Sequence, residues 1–124
     1  MNKFTAKVRA DFSAAHSIPD YSGSCCNVHG HNWEVEVAVT KYELDQIGLS
    51  TDLREIKKVL KGILEKLDHT DLNNNPFLDV THPTAEHIAQ FVYAILEKEF
   101  PEAIIEYVEV HEGPTASIVY SKIL

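Results

Sequence analysis

The sequence predicts an α+β domain: one four-stranded antiparallel sheet covered on one face by two helices. Three observations carry that reading. Apolar residues alternate at period two near the start of the chain. They recur at helical spacing between residues 53 and 96, and return to period two from residue 104. Strands at both ends with helices between give the order β-β-α-α-β-β, an arrangement that segregates the helices onto one face of a sheet. A chain of 124 residues, 44% hydrophobic and 24% charged, fits a single domain over 1–124.

The first strand is KFTAKVRADF, residues 3–12, where Phe4, Ala6, Val8, Ala10 and Phe12 alternate with polar neighbours. A turn-rich stretch follows, SIPDYSGSCCN (17–27). Residues 29–40 alternate again, with Trp33, Val35, Val37 and Val39 on one face, so the two runs predict an antiparallel pair. Leu53, Ile56, Val59, Leu60, Ile63, Leu64 and Leu67 then mark a helix, with Asp52 and Glu55 as a capping-box-like start. LNNNP (72–76) is loop. A second helix starts after His82-Pro83-Thr84, carries Ile88, Phe91, Val92, Ile95 and Leu96, and ends before Pro101. Strands at 104–112 and 116–122 close the chain, turning at Gly113-Pro114. The uncovered sheet face and the sheet edges predict self-association.

Composition narrows the function. A formal charge of −8 argues against a general nucleic-acid binder. The apolar runs fall far short of a membrane span and the first residues begin no secretory signal, so a soluble cytoplasmic protein without membrane contact is expected. Adjacent Cys25 and Cys26 close no useful disulfide loop, and a reduced thiol is expected instead. Seven histidines in so short a chain raise the question of a metal.

CCNVHGHNW (25–33) concentrates that question. His29 and His31 sit two apart in a segment entering a strand, so their side chains share one face. His16 continues the even-numbered parity of the first strand to the end that an antiparallel partner brings beside His29. Three imidazoles and an open fourth position make the catalytic, rather than the structural, zinc arrangement. An H-x-H pair alone is more often a surface or core pair, and it is His16 that turns the balance. A structural Cys2His2 site is the main rival, weakened because vicinal cysteines hardly point at one ion without strain.

These residues resemble the 6-pyruvoyl-tetrahydropterin synthase family, which includes the 6-carboxytetrahydropterin synthases of queuosine biosynthesis. The matching motifs are FSAAH (12–16), C-x-x-x-HGH (25–31), LDH (67–69), LN…NP (72–76), PTAE (83–86) and HEG (111–113), in family order over nearly the whole chain. The resemblance implies a tunnelling fold (T-fold) assembled into trimers that pair as hexamers, with active sites across subunits. It implies that His16, His29 and His31 hold Zn2+, that Cys25 is catalytic with Asp68 and His69, and that Glu112 anchors the pterin. Cys26 is read as incidental.

The groups suit that chemistry. A thiol of pKa about 8.5 needs a neighbour to lower it before it can act as a base near neutral pH. An imidazole held by a carboxylate supplies one, with Cys25 as base, His69 as relay or acid, and Asp68 fixing the ring. Glu112 offers a bidentate acceptor for the pterin 2-amino and N3 positions. Thr84 is either a pterin contact or a plain helix N-cap. Asp68 is poorly placed as a helix C-terminal acid, a modest hint of function. His82 and His87 flank the start of the second helix and are read as satisfying local hydrogen bonds, His111 lacks ligand spacing, and Arg9, Lys7 and Lys122 are the available cations for a triphosphate.

The expected reaction converts 7,8-dihydroneopterin triphosphate to 6-carboxy-5,6,7,8-tetrahydropterin, acetaldehyde and triphosphate. The alternatives are a 6-pyruvoyl-tetrahydropterin synthase eliminating triphosphate and, from another class, a non-enzymatic zinc-stabilised oligomeric binding module. A side-chain-cleaving variant of folate synthesis is disfavoured, because no Glu lies between Cys25 and His29.

Overall fold

Period-two alternation puts both ends of two long strands in register in the computed structural model, which describes residues 2–23 and 27–123. β1 (Phe4–His16) and β2 (His29–Lys41) pair antiparallel along their whole length, from Phe4↔Lys41 to His16↔His29. Even residues of β1 and odd residues of β2 face the same side. Trp33, Val35, Val37 and Val39 are there completely buried.

Two helices cover that side. α1 (Leu53–Glu65) is capped by Asp52, whose side chain accepts from the Arg54 N–H, and buries Ile56, Leu60, Ile63 and Leu64. The next strand, β3 (Thr70–Asp71), leads into a 3-10 turn at Leu72–Asn74. α2 (Ala85–Glu99) buries Ile88, Val92 and Leu96 and stops at Phe100, since Pro101 cannot continue it. Each fully buried aliphatic side chain here contributes roughly 1.5–3 kcal/mol. Among the described residues no helix is long and apolar enough to cross a membrane.

β4 (Ile104–Gly113) pairs with β2, and β5 (Ala116–Tyr120) with β4. The described residues therefore form a five-stranded mixed sheet in the order β3-β1-β2-β4-β5, one strand more than the alternation predicts. The addition is β3, which runs parallel to β1 at Ala14 and Ala15. Two residues have no period to read. A register shift between Ala38 and Val39 absorbs Glu106 as an extra residue on β4. It explains why Ile105 is buried before the bulge and Val108 and Val110 after it.

The helix-free face is polar and pairs across strands. The Arg9 Nε donates to Glu36 Oε1 at 2.7 Å, the Tyr107 hydroxyl donates to Glu36 Oε2 at 2.5 Å, and the Thr5 and Thr40 hydroxyls meet at 2.8 Å.

Candidate metal and catalytic site

The register that pairs His16 with His29 also sets Ala14 opposite His31, so all three imidazoles collect at one end of the β1–β2 pair, on the helix-covered face. Each offers a ligand nitrogen, and the three nitrogens lie within 4.8 Å of one another, the metal-competent cluster among the described residues. The rings pack edge to face, with centroids 4.6 Å (His16–His29), 5.3 Å (His16–His31) and 4.7 Å (His29–His31) apart. Trp33 forms the floor, 4.9 Å from His16 and 5.3 Å from His31. Its indole N–H is fixed on the Ala14 carbonyl at 3.2 Å.

Backbone carbonyls decide which nitrogens face inward. His16 Nδ1 lies 2.8 Å from the Pro83 carbonyl and His29 Nδ1 lies 2.7 Å from the Asn27 carbonyl. A carbonyl only accepts, so Nδ1 is the donor in both rings and Nε2 is left as the ligand atom on offer. This is the usual outer-shell arrangement of a metal-binding histidine. His16 is 1% exposed, and its Nε2 has no hydrogen-bond partner among the described residues; His31 Nε2 is likewise buried and without a hydrogen bond there. Burial pushes the His31 imidazole below its ordinary pKa, against the pull of Glu112, with His29 and His16 adding to the lowering. Three clustered imidazoles, two of them oriented by a backbone carbonyl at Nδ1, fit a cation such as zinc.

Asp68 and His69 form a second element, anchored to β1. The Ser13 N–H donates to Asp68 Oδ1 at 2.9 Å and the His69 N–H donates to the Ser13 carbonyl at 2.6 Å. The other oxygen of Asp68 is 3.0 Å from His69 Nδ1. The Ser13 N–H, then His69, hold the Asp68 carboxyl below its usual pKa. His69 adopts φ 57°, a left-handed conformation uncommon outside glycine, and its side chain is 82% exposed. The carboxylate thus orients an imidazole that faces outward.

Glu112 occupies a second irregularity, between the pairs His111↔Ser117 and Gly113↔Ala116. Unpaired at the bulge, its side chain turns to the histidine end of the sheet, with Oε2 3.7 Å from His31 Nε2. Thr84 caps α2, its hydroxyl accepting from the His87 N–H at 3.2 Å. It stands next to Pro83, the partner of His16. Cys25 and Cys26 lie outside the described residues. Of the outlying cations, Arg9 and Lys122 are engaged by Glu36 and Glu97.

The structure thus gathers His16, His29, His31 and Glu112 and pairs Asp68 with His69. Sequence reading missed Pro83, Asn27 and Ser13, which act through backbone groups and leave no side-chain signal. For Pro83 the one available cue was its place in PTAE.

Comparisons with known proteins identify relatives of this chain. Residues 5–122 match the family model described as 6-pyruvoyl tetrahydropterin synthase. The 6-carboxy-5,6,7,8-tetrahydropterin synthase of Bacillus subtilis is 34% identical over 117 residues, covering 87% of this chain and 78% of that protein. The human 6-pyruvoyl tetrahydrobiopterin synthase is 30% identical over 128 residues, covering 90% and 87%. The solved structure of Caenorhabditis elegans 6-pyruvoyl tetrahydropterin synthase superposes with a TM-score of 0.86 at 27% identity, covering 99% of this chain and 98% of that one.

Proposed function

The chain belongs to the 6-pyruvoyl tetrahydropterin synthase family, and from that premise we propose that it is a zinc-dependent 6-carboxy-5,6,7,8-tetrahydropterin synthase of queuosine biosynthesis. Its substrate is 7,8-dihydroneopterin triphosphate, and its products are 6-carboxytetrahydropterin, acetaldehyde and triphosphate. The carrying observation is the fully buried His16, whose Nε2 has no hydrogen-bond partner among the described residues and shares a cluster with His29 and His31. An unpaired buried nitrogen costs stability unless a ligand takes it up.

His16, His29 and His31 hold the zinc. The bound ion supplies Lewis acidity toward the hydroxyls of the substrate side chain. Glu112 accepts two N–H bonds from the pterin edge, and its position beside His31 puts ring recognition and metal at one opening. Cys25 removes and returns carbon-bound protons. His69, oriented by Asp68, lowers the thiol pKa or delivers the proton. Its exposed ring suits action at a neighbouring protomer's Cys25 within a trimer or hexamer. A monomer is then inactive.

Incubation of the purified protein with 7,8-dihydroneopterin triphosphate, with products identified by mass, tests this reading. Acetaldehyde supports it. Loss of triphosphate with the carbon side chain retained would establish the 6-pyruvoyl reaction, which the human relative's comparable identity keeps in play. No turnover, with collapse of the fold on chelation, would establish the non-enzymatic zinc-stabilised module.

A further inference from the structure

The motif LNNNP (72–76) belongs to the family resemblance but has no task in the reading above. We infer that Asn73 is a positioning residue: its side-chain amide stands in for a strand and fixes the His16 end of β1, and with it the metal-binding geometry. The inference rests on the histidine cluster being a metal site.

Along an extended strand, alternate residues present their N–H and C=O to the same side. His16 pairs inward with His29, so residues 13, 15 and 17 present theirs to the outer edge. All three are met by one short segment. Ser13 is bound by Asp68 Oδ1 and the His69 N–H. Ala15 lies opposite Asp71 in the two-residue parallel pairing. Ser17 lies beyond β3, and there the side chain of Asn73 takes over. The Ser17 N–H donates to Asn73 Oδ1 at 2.8 Å, and Asn73 Nδ2 donates to the Ser17 carbonyl at 3.0 Å.

A primary amide carries an acceptor and two donors, so a single side chain satisfies both groups of one residue. The clamp is itself fixed. The Asn73 N–H donates to Asp71 Oδ1 at 3.1 Å, and neighbouring Leu72 is completely buried. The segment therefore carries the Asp68–His69 pair at one end and grips the residue after His16 at the other. Without Asn73 the residue that follows β1, Ser17, loses its outer partners. The His16 ring then samples positions of which only some present Nε2 to His29 and His31. Outer-shell losses of this kind cost about 10–100-fold in metal affinity.

The test measures zinc affinity of metal-free full-length protein by competition with a chromophoric chelator, with the cobalt(II) spectrum as a check on ligand geometry. Asn73→Ala should bind zinc at least tenfold more weakly and show an altered cobalt spectrum, with the unfolding midpoint of the metal-free protein within a few degrees of wild type. Asn74→Ala is the control. Its side chain bonds Asp71 Oδ2 at the surface, and its affinity should match wild type. If Asn73→Ala folds poorly, amide exchange decides in Asn73→Asp, which keeps the acceptor but loses the donor. The exchange of residues 16–18 should then quicken relative to wild type. Zinc affinity of Asn73→Ala within twofold of wild type, or unchanged exchange in Asn73→Asp, overturns the inference. A wild-type protein indifferent to zinc overturns the metal reading itself, and this inference with it.

Discussion

Two buried polar clusters lie on opposite faces of one sheet, and they are finished differently. On the helix-free face, Glu36 is 4% exposed and both its oxygens are taken, one by Arg9 and one by Tyr107. On the helix-covered face, His16 is as deeply buried, yet its Nε2 and that of His31 have no hydrogen-bond partner among the described residues. Completed hydrogen bonding marks a cluster that serves the fold. A buried lone pair left over, with its ring already oriented by a carbonyl, marks one that waits for something else. Burial alone does not separate the two.

The largest expected effects lie at the incomplete cluster and at the proposed catalytic residues. His16→Ala should abolish both zinc uptake and turnover. Cys25→Ala should abolish turnover, a loss of at least ~10²-fold, while zinc stays bound. Metal analysis beside a product assay separates these outcomes, and a Cys25→Ala protein with normal turnover and an inactive Cys26→Ala would reassign the thiol. Asp68→Asn comes next. The amide oxygen can still accept from Ser13, so the fold persists, but the charge orienting His69 is gone and turnover should fall about 10²-fold.

The complete cluster should answer in stability and leave zinc affinity unchanged. Glu36→Ala strands the Tyr107 hydroxyl and should cost about 1–3 kcal/mol, read as a midpoint several degrees lower at fixed protomer concentration. A matching loss of zinc affinity would erase the contrast between the faces.

The smallest effects are in pH. The Tyr107 hydroxyl, followed by Arg9, holds the Glu36 carboxyl below its ordinary 4.5. Its contribution is therefore complete above 4.5 and is lost as pH falls through the lowered value. The midpoint gap between wild type and Glu36→Gln should shrink in acid. Burial, then Glu36, pushes Tyr107 from 10.0 to about 12. That contribution is complete below 10.0 and is lost as pH rises toward 12, so Tyr107→Phe should be the less sensitive protein in alkali.

Much of this was legible in the residues. Alternation in Phe4–Phe12 and Trp33–Val39 specified two strands, and the same parity carried His16, His29 and His31 to one face. Helical spacing and Asp52 located α1, and Pro101 ended α2. β3 was illegible, because two residues pair through backbone contacts that Ala14 and Ala15 reveal only once folded. The bulge at Glu106 was hidden for a related reason: IIEY alternates acceptably in either parity, and the partner strand settles the choice. Asp68 looked misplaced as a helix-end acid. Helix α1 ends at Glu65, and the carboxylate answers to the Ser13 N–H instead.

His69 carries a consequence for how this protein can change. A non-glycine residue at φ 57° gives up on the order of 1 kcal/mol that glycine would not. His69→Gly is thus a substitution by which the chain becomes sturdier while its proposed chemistry disappears. Variants selected only for surviving heat would drift toward glycine there, and a thermal screen without a turnover assay would count the drift as progress.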